Sequence, residues 1–266
     1  MSAPKGAAQR LMRRIKLRLF FVFAAFGIGA GLTWMYRGPI ISWLLRPGGS
    51  LSPFEGLPIV TSPTEAFSVV ISLVLKGGLV TAFPVATFSV VTLVSPLLDR
   101  KQRRFVLWFF TPALFVCFLG GVAFAYYVMV PTGMRYLINF GEGIAVPAIQ
   151  LSEYMKISTA LIFWAGVVFE LPIVMFLLSK SRIVSYKKFV KWQKYVPVAA
   201  YTLGVLITPT IDIVNALLVA GPIVVLYEIG LFLAWLARPK VKNAIPLRKR
   251  VWRKICGCVK SLWGAE

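Results

Sequence analysis

AFSVVISLVLKGGLVTAFPVATFSVVTLVSPLL, residues Ala66 to Leu98, runs for 33 positions with Lys76 as its one charged residue. As an α-helix it would extend ~50 Å at 1.5 Å per residue. The hydrocarbon core of a bilayer is ~30 Å thick, so such a segment spans it with length to spare. The excess implies a tilt, a bend at Pro84 or a projection beyond the membrane. Working outward, comparable apolar runs occupy Leu19 to Tyr36, Val106 to Val130, Ile157 to Leu178, Tyr195 to Thr208 and Ile213 to Ala237. The expectation is an all-α membrane protein with six transmembrane helices. The fifth run has 14 residues, ~21 Å of helix, and is short of the core.

Composition agrees. The chain has 266 residues, 58% hydrophobic and 15% charged, against about 25% charged in a typical soluble domain. The formal charge of +21 raises a nucleic-acid reading, since clustered Lys and Arg neutralise phosphates. The basic residues flank apolar runs instead, where anionic lipids are the ready partner and no nucleic acid is expected.

Their distribution also sets orientation. Twenty-five of the 30 Lys and Arg residues fall up to Arg18, in Arg100–Arg104, in Lys180–Lys194 and from Arg238 onward. By the positive-inside rule these four segments, and both termini, face the cytoplasm. Glu55, Glu65, Glu142, Glu153 and Asp212 fall outside. The chain divides into a basic cytoplasmic N-terminus (1–18), a six-helix membrane domain (19–237) and a basic cytoplasmic tail (238–266). Ile40–Leu45, with Trp43 as anchor, reads as an interfacial patch before a Gly/Pro-rich stretch. Leu247–Trp263 reads as a helix on the membrane surface. The first acid is Glu55. The basic start reads as a signal anchor retained as the first span, in preference to a cleaved signal peptide or transit sequence.

There is no histidine, and the cysteines are Cys117, Cys256 and Cys258. Cys117 reads as a packing residue. The Cys256-x-Cys258 pair lacks the companions that a zinc site needs, and its cytoplasmic setting keeps thiols reduced. No P-loop, metal cluster or nucleophile–base pair is visible, so neither enzyme activity nor a cofactor is expected.

Charges inside spans are costly and mark candidate functional residues. Glu170 stands in Phe169-Glu170-Leu171-Pro172. Pro172 cannot donate a backbone hydrogen bond, so a kink is expected beside the carboxyl. Two readings stand: a group that receives a cationic or polar segment from the cytoplasm, or a carboxyl hydrogen-bonded within the bundle. Glu228 is expected to be a structural partner for another span. Lys76 either pairs with Glu170 or Glu228 or snorkels outward. Asp212, after Thr208-Pro209, is placed to cap the last helix.

The run Ser95-Pro96-Leu97-Leu98-Asp99-Arg100-Lys101-Gln102-Arg103-Arg104 resembles the first inner loop of the TatC family, receptor subunits of twin-arginine protein translocation. Phe83-Pro84-Val85, Phe124-Ala125-Tyr126-Tyr127 before Pro131, Phe169-Glu170-Leu171-Pro172, Thr208-Pro209 with Asp212, and Tyr227-Glu228-Ile229-Gly230 follow in family order, with Pro47 upstream. The resemblance covers roughly residues 40 to 237. It implies a cupped six-helix bundle and a homo-oligomer. It also implies TatA-like and TatB-like single-span partners and proton-gradient-driven export of folded proteins bearing Arg-Arg signal peptides. Asp99, Gln102 and Glu170 would line the signal-receiving surface. Asn215 would dock a TatA-like helix, and Pro172, Thr208, Asp212 and Glu228 would shape the scaffold. Gln102 stands where the family's loop usually has glutamate, and Leu11–Arg18 carries no acid. Gln lacks the charge that makes a carboxylate the natural partner of guanidinium. A TatC-derived scaffold that no longer binds such signals is therefore the alternative. A bacterial cytoplasmic membrane is the expected location, with an organellar inner membrane as the alternative.

Overall fold

The computed structural model describes residues 5–49, 58–94, 104, 108, 111–140, 150–181, 184–207 and 213–237. Ten α-helices occupy them. They are α1 (Lys5–Met35), α2 (Arg37–Gly49), α3 (Pro63–Val94), α4 (Thr111–Phe124), α5 (Val130–Phe140), α6 (Leu151–Phe169), α7 (Leu171–Lys180), α8 (Tyr186–Gln193), α9 (Val196–Ile207) and α10 (Ile213–Leu236). One π-helical turn, Ala125–Met129, joins α4 to α5.

Five stretches are long and apolar enough to cross a membrane: Ile15–Met35, Pro63–Thr92, Pro112–Leu137, Leu151–Lys180 and Ala216–Leu236. The short fifth run of the sequence forms α9, an apolar helix of 12 residues, ~18 Å long and below spanning length. The fourth span begins six residues before the expected Ile157, because Ser152, Glu153 and Lys156 are taken into its first turns. At the N-terminus the basic segment is no separate unit: α1 continues from Lys5 through the apolar run without a break.

α1 and α3 pack along their length through a reciprocal pair of small residues. A methyl group added at Gly29 would collide with the Thr81 side chain, and one at Gly77 would collide with Thr33. Each glycine therefore admits the threonine of the other helix. Thr81 Oγ1 also donates across to the Ala25 carbonyl at 3.2 Å. Small residues that let backbones approach are the main route to tight helix packing in lipid, where apolar burial gives little net drive. The outer face of α1 is left bare, with Phe20, Phe21 and Phe23 all exposed.

The core gathers α3, the π turn, α6 and α10 around Val69, Leu73, Ala125, Met129, Leu161, Ala165 and Val219. α2 is fastened to it from outside. Pro47 inside α2 has no N–H to give to the carbonyl four residues back, on Trp43. Tyr126 of the π turn supplies the missing donor, its hydroxyl 2.8 Å from the Trp43 oxygen. The Tyr126 and Trp43 rings stack with centroids 3.9 Å apart. Tyr154 of α6 donates likewise to the Leu44 carbonyl at 2.8 Å. Thus the Ile40–Leu45 patch packs on protein: Leu44 is buried, with Ile40, Ile41 and Leu45 against the same core.

Candidate functional site

Two of the motifs read from the sequence meet on the inner half of the molecule. α6 ends at Phe169 and α7 starts at Leu171, with Glu170 as the single residue between them. Pro172 is at the start of α7 and has no N–H, so the helical ladder must open here. The break expected beside Glu170 is present. Gly230 of α10 lies against it: a Cβ there would be 3.1 Å from the Pro172 Cα and 2.6 Å from the Met175 sulfur. Ser179 Oγ donates to the Ala234 carbonyl at 2.9 Å and closes the same helix pair one turn further on.

Glu170 is 2% exposed. Thr87 of α3, whose hydroxyl donates to the Phe83 carbonyl, and Cys117 of α4 lie near enough to its carboxyl to feel it. Its Oε1 has no partner among the described residues. A buried polar oxygen without a partner loses its hydration and gets no bond in exchange, which is costly. The carboxyl is therefore buried near α3 and α4 with spare hydrogen-bonding capacity. On the other side of the same break, Phe169 joins Trp164, Val168, Ile207, Val219 and Pro222 around a hollow with wholly apolar walls. The hollow has room for about one water molecule, so it marks a loosely packed apolar spot beside the break and not a groove for a helix.

Among the described residues Glu228 holds α8 and no other span: its Oε1 accepts from Gln193 Nε2 of α8 at 2.8 Å. Its neighbour Tyr227 donates to the Phe189 carbonyl of α8 at 2.8 Å. These bonds seat α8 with Phe189 buried and Lys187, Lys188, Lys191 and Trp192 outward, a basic and aromatic face suited to a lipid headgroup layer. Among the described contacts, Lys76 pairs with neither Glu170 nor Glu228. Its Nζ donates to Thr159 Oγ1 of α6 at 2.6 Å. Asn215 lies in the first turn of α10. Asp99, Gln102, Thr208 and Asp212 fall outside the described residues, as do Cys256, Cys258 and the tail segment Leu247–Trp263.

One residue escaped the sequence reading. Glu65 is buried at the start of α3. Its Oε2 accepts from the Thr61 amide at 2.7 Å and the Thr61 hydroxyl at 2.8 Å. Its Oε1 accepts from the Ser152 amide at 2.9 Å. One carboxylate thus caps α6 and its own N-terminal turn together, where helix-end amides are otherwise orphaned. Ser62-x-x-Glu65, with Ser62 Oγ accepting from the Glu65 amide at 3.2 Å, is the capping-box signal that points to it. Its second partner, 87 residues away, has no local signature.

A bundle of membrane-spanning helices broken at a buried acid, with a cap on its outer side and a basic face on its inner side, defines a polytopic integral membrane protein. The family model described as "Sec-independent protein translocase protein (TatC)" matches residues 10–222. The chain belongs to the TatC family. It is similar to the Sec-independent protein translocase protein TatC of Carboxydothermus hydrogenoformans, 29% identical with 80% of this chain and 86% of that one covered. It is similar also to that of Aquifex aeolicus, 29% identical over 87% of this chain and 96% of the relative. A crystal structure of the twin-arginine translocase receptor TatC superposes with a TM-score of 0.74 at 28% identity, covering 85% of this chain and 99% of that one.

Proposed function

We propose that the protein is the receptor subunit of a twin-arginine translocase, which moves folded proteins across a membrane at the expense of the proton gradient. The observation that carries this is the match over 85% of the chain to a twin-arginine translocase receptor at 28% identity. In this reading α9 is the fifth, shortened membrane helix and brings the spans to six, and both termini lie in the cytoplasm of a bacterium. The protein has no enzymatic step of its own. Its partners are TatA-like and TatB-like single-span proteins, anionic lipids along α8, and further copies of itself. Glu170 meets a polar group of a signal or partner helix that packs beside the α6–α7 break. Asp99 and Gln102 contact the arginine pair, and Asn215 docks a TatA-like helix.

A second reading is favoured by one feature, the absence of any acid before Glu55 and the glutamine at position 102. In it the fold persists as a scaffold for a membrane complex, and arginine pairs are no longer held. Binding of a labelled Arg-Arg signal peptide to the purified protein, with a Lys-Lys peptide as control, separates the two. Selective binding by the wild type supports the receptor. Binding that emerges only in Gln102→Glu supports the scaffold.

A further inference from the structure

Between the outer halves of α3 and α6 lies a cavity of about 170 Å³ that none of the roles above uses. Ser68 and Ser72 line it from α3, and Ser152, Lys156 and Thr159 from α6. Lys76 stands one contact behind this lining, donating to Thr159 Oγ1, while Thr159 in turn donates to the Met155 carbonyl. An ammonium has three N–H donors, and Thr159 is the one acceptor for Lys76 among the described residues. Lys156 is near enough that the two positive charges repel. The described acids at this end are already engaged. Glu65 is held by Thr61 and Ser152, and Glu153 by Lys156 at 2.7 Å. With Lys156 paired to Glu153, Lys76 is the cation beside this hydroxyl-lined cavity that has no anion among the described residues.

We propose that this cavity binds the phosphate of an anionic lipid from the outer leaflet. Depth favours a lipid over a free ion. Side chains on a helix lean toward its N-terminus, so Lys76 points outward and its ammonium sits level with Thr159. Thr159 is eight residues from the start of α6, or ~12 Å along it. The α6–α7 column of 30 residues is ~45 Å long and overshoots the ~30 Å core, so its outer end stands among headgroups. A lipid phosphate needs a small descent to reach Lys76, and its chains find the apolar surface of the spans. The positive charge of Lys76, without an anion among the described residues, selects against a choline headgroup and for one without a cation.

The test is native mass spectrometry of the delipidated full-length protein titrated with phosphatidylglycerol and phosphatidylcholine, with unfolding temperatures in inorganic phosphate as a parallel arm. The wild type should prefer phosphatidylglycerol, and Lys76→Met should weaken that binding about fivefold, the factor set by one basic residue near an anionic lipid. Lys76→Arg should retain the preference, and Lys187→Gln with Lys188→Gln on α8 should leave the Lys76-dependent part unchanged. If Lys76→Met does not fold, Thr159→Val reads the same contact. Equal phosphatidylglycerol binding by the folded Lys76→Met or Thr159→Val variant would overturn the proposal. So would a Lys76-dependent stabilisation by inorganic phosphate without lipid preference, which makes the ligand a free ion. Lys76-dependent capture of an acidic single-span peptide with unchanged lipid binding would overturn it in favour of a protein partner.

Discussion

Tyr126 and Tyr154 each have an apolar ring to bury and one polar atom to satisfy, and both spend that atom on α2. Tyr154 is 1% exposed, so Tyr154→Phe removes a hydrogen bond to the Leu44 carbonyl in a dry place. That should cost about 0.5–1.5 kcal/mol in chemical unfolding in detergent. Tyr126→Phe should also destabilise, and Pro47→Ala should recover part of the loss, because an alanine N–H can reach the Trp43 carbonyl itself. A double variant no more stable than Tyr126→Phe alone would disprove the donor replacement. At this scale the sequence is informative about which residues matter and poor on whom they touch. Glu170 and its break were legible from a charge and a proline in one apolar run. The Thr87 contact depends on how α3 lies beside α6, which no local pattern encodes. Lys76 found a hydroxyl 83 residues away where acids were expected, since a threonine in a span carries no charge to mark it.

Among elements, the α1–α3 pair rests on complementary shape. Gly77→Val puts a branched side chain where Thr33 sits and should cost about 1–3 kcal/mol through overpacking. Gly31→Val is the control: a Cβ at Gly31 meets nothing within 4 Å, and the change should stay within about 0.5 kcal/mol. Equal losses at both sites would mean that helix propensity and not packing is being measured. The outer junction of α3 and α6 offers a different probe. Glu65→Gln replaces one acceptor oxygen by a donor, so either the Thr61 or the Ser152 amide loses its partner. Hydrogen exchange at those two amides should speed up while exchange in the middle of α6 does not change. The Ser-x-x-Glu start of α3 could be recognised locally, whereas the second cap on α6 needed the two helix ends side by side.

For the molecule as a whole, the class, the spans and their order were written in hydropathy and charge, because a membrane forces those patterns on any chain that crosses it. The ends of the spans were less legible. Polar residues such as Ser152, Glu153 and Lys156 extend a helix beyond its apolar stretch at no penalty once it leaves the core. The length of α9 against its neighbours gives a further expectation. A bundle holding one helix of ~18 Å among spans of ~31–45 Å should be most stable where the bilayer can thin around it. Unfolding temperatures in liposomes should therefore fall as acyl chains are lengthened past those that match α9. No dependence on chain length would mean that α9 is shielded from lipid by its neighbours.

The interlocking of Gly29 with Thr81 and of Gly77 with Thr33 bears on how the protein is made. Both partners of that contact lie in the first third of the chain, so the lock can close while the remainder is still on the ribosome. The first two spans then leave the translocon as a finished hairpin, with the bare phenylalanine face of α1 already turned to lipid. Every later helix is added to a template whose tilt is fixed. A nascent chain stalled just beyond residue 94 should thus already carry a stable helical pair, and biogenesis proceeds by accretion onto it.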